Sequence, residues 1–182
     1  MLIIIKYLSE TRFFWFLLLL TGLVLEGCGL YFQYNMNLPP CVNCVYERAY
    51  MLGFIVCGFV GSIGAGFLLI RLLCSLGFLA TSIGGILVSF EHYQAYTNTS
   101  LLGSTCKLTT SFPPFLPLDE IAPFMFKATG VCSDKLDWEF LGMNMPFWVL
   151  FIFAVSSLVS FLLLLSVFKK RPANNYEKLY RR

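Results

Sequence analysis

Two cysteines with two residues between them, in the run Pro39-Pro40-Cys41-Val42-Asn43-Cys44, are the residues in this chain best placed to do chemistry. A disulfide across so small a ring constrains little chain entropy, and short Cys-x-x-Cys bridges are typically the redox-active ones. The chemistry on offer is thiol–disulfide exchange. Pro39-Pro40 ends a loop and an apolar run follows, so Cys41 falls at or just before a helix start and Cys44 in its first turn. Unpaired backbone N–H groups and the positive end of the helix dipole favour a thiolate there. Arg48 lies one turn beyond Cys44 on the same face, where a guanidinium favours the thiolate further and can hold an anionic or carbonyl-bearing ligand. As an ordinary interfacial charge, Arg48 would snorkel and pair with adjacent Glu47. As a functional residue it flanks a redox cofactor together with Cys44, and this is the reading we adopt. Glu91-His92 supplies an imidazole able to donate a hydrogen bond or a proton.

What must position these groups is a membrane bundle. Of 182 residues, 58% are hydrophobic and 13% charged, with mean hydropathy +0.75. Soluble domains carry about 25% charged residues, so a water-soluble globule is excluded. Uncharged runs cover 13–25, 49–70, 72–90 and 140–168. Three are long enough to cross ~30 Å of hydrocarbon as helix; the first reaches that length by continuing past Glu26 to about Tyr34. Glu26 is costly in lipid and is expected to pair inside the bundle. A turn around Gly61, Gly64, Gly66 and Arg71 divides the second run from the third. The reading is an all-α protein and a single integral membrane domain, 1–182, with helices about 13–34, 45–65, 70–90 and 145–168. Loops of about 35–43 and 92–144 lie on one side, and the tail, 169–182, on the other.

Lys6, Arg12, Arg71, Lys169, Lys170, Arg171, Lys178, Arg181 and Arg182, nine of the thirteen basic residues, fall on the side of the two termini. The positive-inside rule makes that side cytoplasmic. The net charge of +3 is thus a topology signal, and no nucleic acid partner is expected. The basic-then-apolar N-terminus lacks a small-x-small cleavage site and reads as a retained anchor.

This topology sorts the seven cysteines. Cys28, Cys57 and Cys74 lie in or beside apolar helices, as small hydrophobes. Cys41, Cys44, Cys106 and Cys132 fall in the two outer loops, where disulfides persist. A Cys106–Cys132 staple would close a loop of about 25 residues and stabilise by ~3 kcal/mol, whereas a Cys41–Cys44 staple is poorly motivated. Zinc ribbons use two close pairs, and Cys106 stands far from Cys132, so no metal site is expected.

The segments Cys41-Val42-Asn43-Cys44-Val45-Tyr46-Glu47-Arg48, Phe90-Glu91-His92, Phe115-Leu116-Pro117-Leu118-Asp119 and Phe140-Leu141-Gly142-Met143-Asn144-Met145-Pro146-Phe147-Trp148 resemble the bacterial disulfide bond formation protein B family (DsbB). The likeness runs from Arg12 and Trp15 to the fourth helix and includes all four loop cysteines. It implies a four-transmembrane-helix bundle in the bacterial inner membrane, both termini cytoplasmic, with a short horizontal amphipathic helix in the second periplasmic loop. The residues support that element independently: Phe112, Phe115, Leu116, Leu118, Ile121, Phe124, Met125 and Phe126 are too apolar for a free loop, while Pro113, Pro114, Pro117 and Pro123 forbid another span.

The resemblance further implies a protein-dithiol:quinone oxidoreductase. A reduced periplasmic thioredoxin-like (DsbA-like) partner attacks Cys106 of a Cys106–Cys132 disulfide, Cys132 then exchanges with Cys41, and Cys44 is freed. Cys44 passes electrons to ubiquinone or menaquinone, in a site formed by Cys44, Glu47, Arg48 and His92. Two rivals have the same helix count. A structural membrane protein with a stapled partner-binding loop leaves the proline-flanked Cys-x-x-Cys beside Arg48 unexplained. A vitamin K epoxide reductase-like enzyme places its close cysteine pair in a late helix, whereas here the pair opens the second.

Overall fold

The computed structural model describes residues 2–97, 109–114, 116–131 and 139–168. Among the described residues, four helices are long and apolar enough to cross a membrane: α2 (Arg12–Tyr34), α3 (Val42–Gly64), α4 (Leu68–Thr97) and α7 (Met145–Val167). At 1.5 Å per residue, a 23-residue helix spans about 35 Å, enough for the hydrocarbon core. In the bundle α2 packs on α3, α3 on α4, and α4 on α7. Most of the outward side chains are apolar, such as Phe13, Leu20, Leu73, Leu87 and Leu158, as a lipid-facing surface requires.

Small residues let the helices approach. A side chain at Gly58 would strike the backbone of Leu19 on α2, and one at Gly85 would strike the ring of Phe153 on α7. Phe54 sits at the centre, edge-on to Phe78 at 4.9 Å and to Phe153 at 5.7 Å. All three rings are buried, so α3, α4 and α7 share one aromatic seam.

Several boundaries differ from the sequence reading. Helix α3 begins at Val42, because Cys41 caps it: its Sγ accepts the Cys44 N–H. Helix α4 runs on to Thr97, so His92 is part of a helix and does not open a loop. The stretch before the last span forms a two-residue hairpin, β1 (Glu139–Phe140) paired with β2 (Met143–Asn144). Leu141 and Gly142 take positive φ at its tip, as a tight primed turn demands. Asn144 then caps α7 by accepting the Phe147 N–H.

An extra helix, α1 (Leu2–Glu10), precedes the spans and packs against α7. The chain breaks at Thr11, and the buried Trp15 indole N–H donates to the Ser9 carbonyl across the break at 2.9 Å. Arg71, which marks the turn between the second and third apolar runs, lies in the first turn of α4 and is 6% exposed. It meets Glu10 at 3.0 Å. A cation in the first turn of a helix buried against other helices needs such a partner, and α1 supplies it.

In place of one short helix between the third and fourth spans stand two single turns, α5 (Leu118–Ile121) and α6 (Pro123–Phe126). Pro123 keeps Ala122 out of helical geometry, which divides them. Cys106, Phe115, Cys132, Lys107, Asp134, Lys135, Asp137 and the tail beyond Phe168 lie outside the described residues.

Candidate functional site

Cys41, Cys44, Glu47, Arg48 and His92 come together at the end of the bundle where α2 joins α3. Cys41 is buried at the helix cap and Cys44 is half-buried in the first turn. Their sulfurs are 2.6 Å apart, so closing a bond near 2.05 Å needs little movement of the chain. His92, from α4, directs Nε2 at both sulfurs, 3.6 Å from Cys41 and 3.9 Å from Cys44. Its other nitrogen, Nδ1, is 2.9 Å from Glu47 Oε1, and both side chains are buried. A carboxylate on Nδ1 fixes the neutral tautomer with the proton on that nitrogen and leaves the Nε2 lone pair facing the thiols. This is the nucleophile, base and orienting group of an activated thiol.

Glu47 therefore does not pair with its neighbour Arg48. Consecutive helical residues point in directions about 100° apart, and α3 turns Glu47 toward α4 and Arg48 toward α2. Arg48 is 8% exposed, which removes the snorkelling reading. Its Nη1 donates to Gln33 Oε1 at 2.6 Å and to the Met125 carbonyl at 3.1 Å, and its Nη2 to the Gly29 carbonyl at 2.7 Å. One guanidinium thus ties α2, α3 and α6 together. Gly29 leaves room for it, since a Cβ there would lie 3.0 Å from Arg48 Nε and the guanidinium would have to give.

The same segment is fastened elsewhere. The Tyr34 hydroxyl donates to the Phe124 carbonyl at 2.7 Å, and the Ser111 N–H donates to the Tyr46 hydroxyl at 2.7 Å. The N–H groups of Thr129 and Gly130 both donate to the Pro40 carbonyl, at 2.9 and 3.0 Å. The chain two residues before Cys132 is thereby tied to the residue before Cys41. A side chain at Gly130 would collide with the Pro39 carbonyl.

Cys44, Glu47, Arg48 and His92 line a cleft of about 220 Å³, bounded by Leu25, Cys28, Gly29 and Phe32 of α2 and by Met145, Trp148, Val149 and Ile152 of α7. The lining is apolar apart from the named polar groups, the usual character of an organic ligand site. Sequence reasoning missed Gln33, Gly29 and Met125 as partners of Arg48, and it missed Cys28 as lining. The Gly27-Cys28-Gly29 run in an otherwise bulky helix was the available signal. Glu26 is 4% exposed, and neither of its carboxylate oxygens has a hydrogen-bond partner among the described residues; the pairing expected for it is not seen there.

The chain matches known proteins over nearly its whole length. The family model described as Disulfide bond formation protein DsbB matches residues 11–163. Disulfide bond formation protein B of Histophilus somni is 41% identical over 174 residues, covering 96% of this chain and 97% of that protein. The proteins of the same name from Haemophilus influenzae and Shewanella denitrificans are 39% and 40% identical. These alignments cover 91% and 92% of this chain, and 93% and 95% of the relatives.

Proposed function

Because the chain belongs to the disulfide bond formation protein B family and is a disulfide-generating membrane oxidoreductase, we propose that it draws electrons from a periplasmic DsbA-like dithiol and delivers them to a membrane quinone in the cleft beside Cys44. The observation that carries this reading is the alignment of Cys44, His92 and Glu47 at the head of an apolar cleft.

The relay begins with the partner's thiolate attacking Cys106, which breaks the Cys106–Cys132 bond and gives a mixed disulfide. The partner's second thiol then releases the oxidised partner, leaving Cys106 and Cys132 reduced. Cys132 attacks Cys41, and the Cys41–Cys44 bond breaks with Cys44 as the leaving group. The ties from Thr129 and Gly130 to Pro40 support this pairing, since they hold the chain next to Cys132 against the chain next to Cys41. Attack by Cys106 on Cys132 restores the loop disulfide and leaves Cys41 and Cys44 as a dithiol.

His92 accepts the thiol proton at Nε2, and Glu47 stabilises the imidazolium through Nδ1. A quinone supplies a two-electron, two-proton acceptor, which balances the two electrons and two protons lost by the dithiol. The cavity, smaller than the ~300 Å³ of sites that enclose a whole small molecule, suits a ring whose prenyl chain stays among the lipids. Cys44 and His92 are the groups that would meet such a ring, and Glu47 would act through His92. Arg48 serves as a positioning residue that holds the wall formed by α2 and α6.

The exposed apolar side chains of Ile121 and Phe124 support a membrane-surface lie for 116–126. The excess of basic residues at the other end of the bundle supports cytoplasmic termini. The test is anaerobic mixing of purified protein with a reduced DsbA-like partner and a short-chain quinone. Stoichiometric quinone reduction coupled to partner oxidation is expected; partner oxidation that leaves the quinone untouched would remove the cleft from the pathway.

A further inference from the structure

We propose that the dithiol state of this site is also a binding site for a thiophilic divalent cation, of the zinc or cadmium class, held by Cys41, Cys44 and His92. The inference rests on the reading above in one respect only: the pair must pass through its reduced form. It differs from the four-cysteine site set aside from the sequence, because its third donor is a histidine that α4 brings in from another part of the chain.

The donor atoms of the three residues all lie within 4.8 Å of one another. Tetrahedral zinc has Zn–S near 2.3 Å and Zn–N near 2.0 Å, so its ligand atoms stand about 3.6 Å apart for sulfur and nitrogen and about 3.8 Å for two sulfurs. The sulfur-to-Nε2 distances here are 3.6 and 3.9 Å. Only the 2.6 Å between the sulfurs must change, opening by about 1 Å. Rotation of the Cys44 side chain toward the cleft it already lines accomplishes that.

Two further features suit a metal. Glu47 holds Nδ1 of His92 at 2.9 Å, and a carboxylate on the far nitrogen of a ligating imidazole fixes its tautomer and strengthens it as a ligand. Two thiolates cancel the charge of a divalent ion, so the complex enters a buried place as a neutral unit. Two thiolates and one imidazole select soft or borderline ions over magnesium or calcium. Three protein ligands leave the fourth position open toward the cleft.

Binding involves no electron transfer. Each thiol loses its proton to solvent, two sulfur–metal bonds and one nitrogen–metal bond form, and water leaves the ion. The oxidised protein has no thiolates at this site and does not bind. Thiophilic cations would therefore trap the reduced enzyme and close the cleft to its electron acceptor.

The experiment titrates cadmium into the purified full-length chain carrying Cys28→Ala, Cys57→Ala, Cys74→Ala, Cys106→Ser and Cys132→Ser, so that Cys41 and Cys44 are the sole sulfur ligands from cysteine. Cadmium–thiolate ultraviolet absorption is the readout, and zinc serves as competitor. No quinone or partner is present, so the outcome is independent of the electron-transfer test. The expected result is one ion per reduced chain, displaced by zinc, and none per oxidised chain. His92→Ala should weaken binding by more than tenfold and Glu47→Gln by about tenfold. Should His92→Ala fail to give helical, monodisperse protein, the Glu47→Gln comparison decides. No binding to the reduced chain, or equal affinity in whichever of these variants decides, overturns the proposal.

Discussion

Arg48→Lys separates a positioning role from a simple charge. The guanidinium uses two nitrogens to reach three acceptors, Gln33 Oε1, Met125 O and Gly29 O, at 2.6, 3.1 and 2.7 Å. An ammonium is a single nitrogen on a different stem and cannot occupy both positions of the fork. At least one bond from a charged donor is lost, which costs about 1.5–3 kcal/mol, a factor on the order of 10–100. The loss falls on the attachment of α6 to α2 and α3, because Met125 belongs to α6. Two measurements follow. Hydrogen exchange at the Phe126 and Lys127 amides, which donate to Ala122 and Pro123 within that turn, should accelerate by about tenfold or more. The quinone KM should rise by a similar factor, while kcat at saturating quinone changes much less, since the sulfurs, His92 and Glu47 are untouched. Arg48→Met should do worse, leaving all three acceptors bare. If Arg48→Lys left both exchange and KM at parental values, the clamp would be without consequence and the positioning argument would fail.

Glu47→Gln keeps a hydrogen bond to Nδ1 but removes the charge that stabilises the imidazolium; the difference, about 1–1.5 kcal/mol, should slow alkylation of reduced Cys44 at fixed pH by about tenfold, and an unchanged rate would remove His92 as its base. Gly130→Val should push the 129–131 chain off Pro39 and Pro40 and slow exchange between Cys132 and Cys41, by up to about a hundredfold for a shift near 1 Å, while quinone reduction by pre-reduced enzyme stays at the parental rate; quenched-flow trapping of the intermediates reads both. Cys106→Ser should abolish the mixed disulfide that a partner lacking its second, releasing cysteine otherwise accumulates with the parental chain, as non-reducing electrophoresis would reveal; capture of that partner by Cys106→Ser would reassign the receiving cysteine. Alkaline phosphatase fused after Lys170 should be inactive and fused near Gly103 active, and the reverse pattern would place the cysteines in a reducing compartment.

The four spans were legible because length and apolarity are local quantities, and a stretch such as 145–167 carries both on its face. The cysteines sorted themselves for a similar reason: once the spans are placed, Cys41 and Cys44 can only lie at one end. The side-chain partners were not legible. Adjacency in sequence suggested Glu47 for Arg48, yet a helix separates neighbours around its axis, and which helix each then meets is decided by packing that no local pattern encodes. Arg48 found backbone carbonyls of Gly29 and Met125, acceptors that every residue carries and that therefore leave no mark in a sequence. His92 could be matched in depth to Cys44 by counting along α4, but its 2.9 Å contact with Glu47 depends on the rotation of two helices. Arg71 marked the boundary between two apolar runs, but its ion pair was not legible, because its partner, Glu10, sits in a short helix that no span count anticipates.

The docking of α1 on α7 sets an order for biogenesis. Helix α1 precedes all four spans, yet its seat is built mainly from the last of them. Until 145–167 has entered the bilayer, α1 lacks its main seat and keeps only its ties to α2 and α4, through Trp15 and Arg71. A nascent chain stalled after the third span would thus display α1 with its α7-facing side uncovered, a mark by which quality-control proteases can tell an unfinished molecule from a finished one. Completion of the fourth span withdraws that mark, so α1 reports on the arrival of α7.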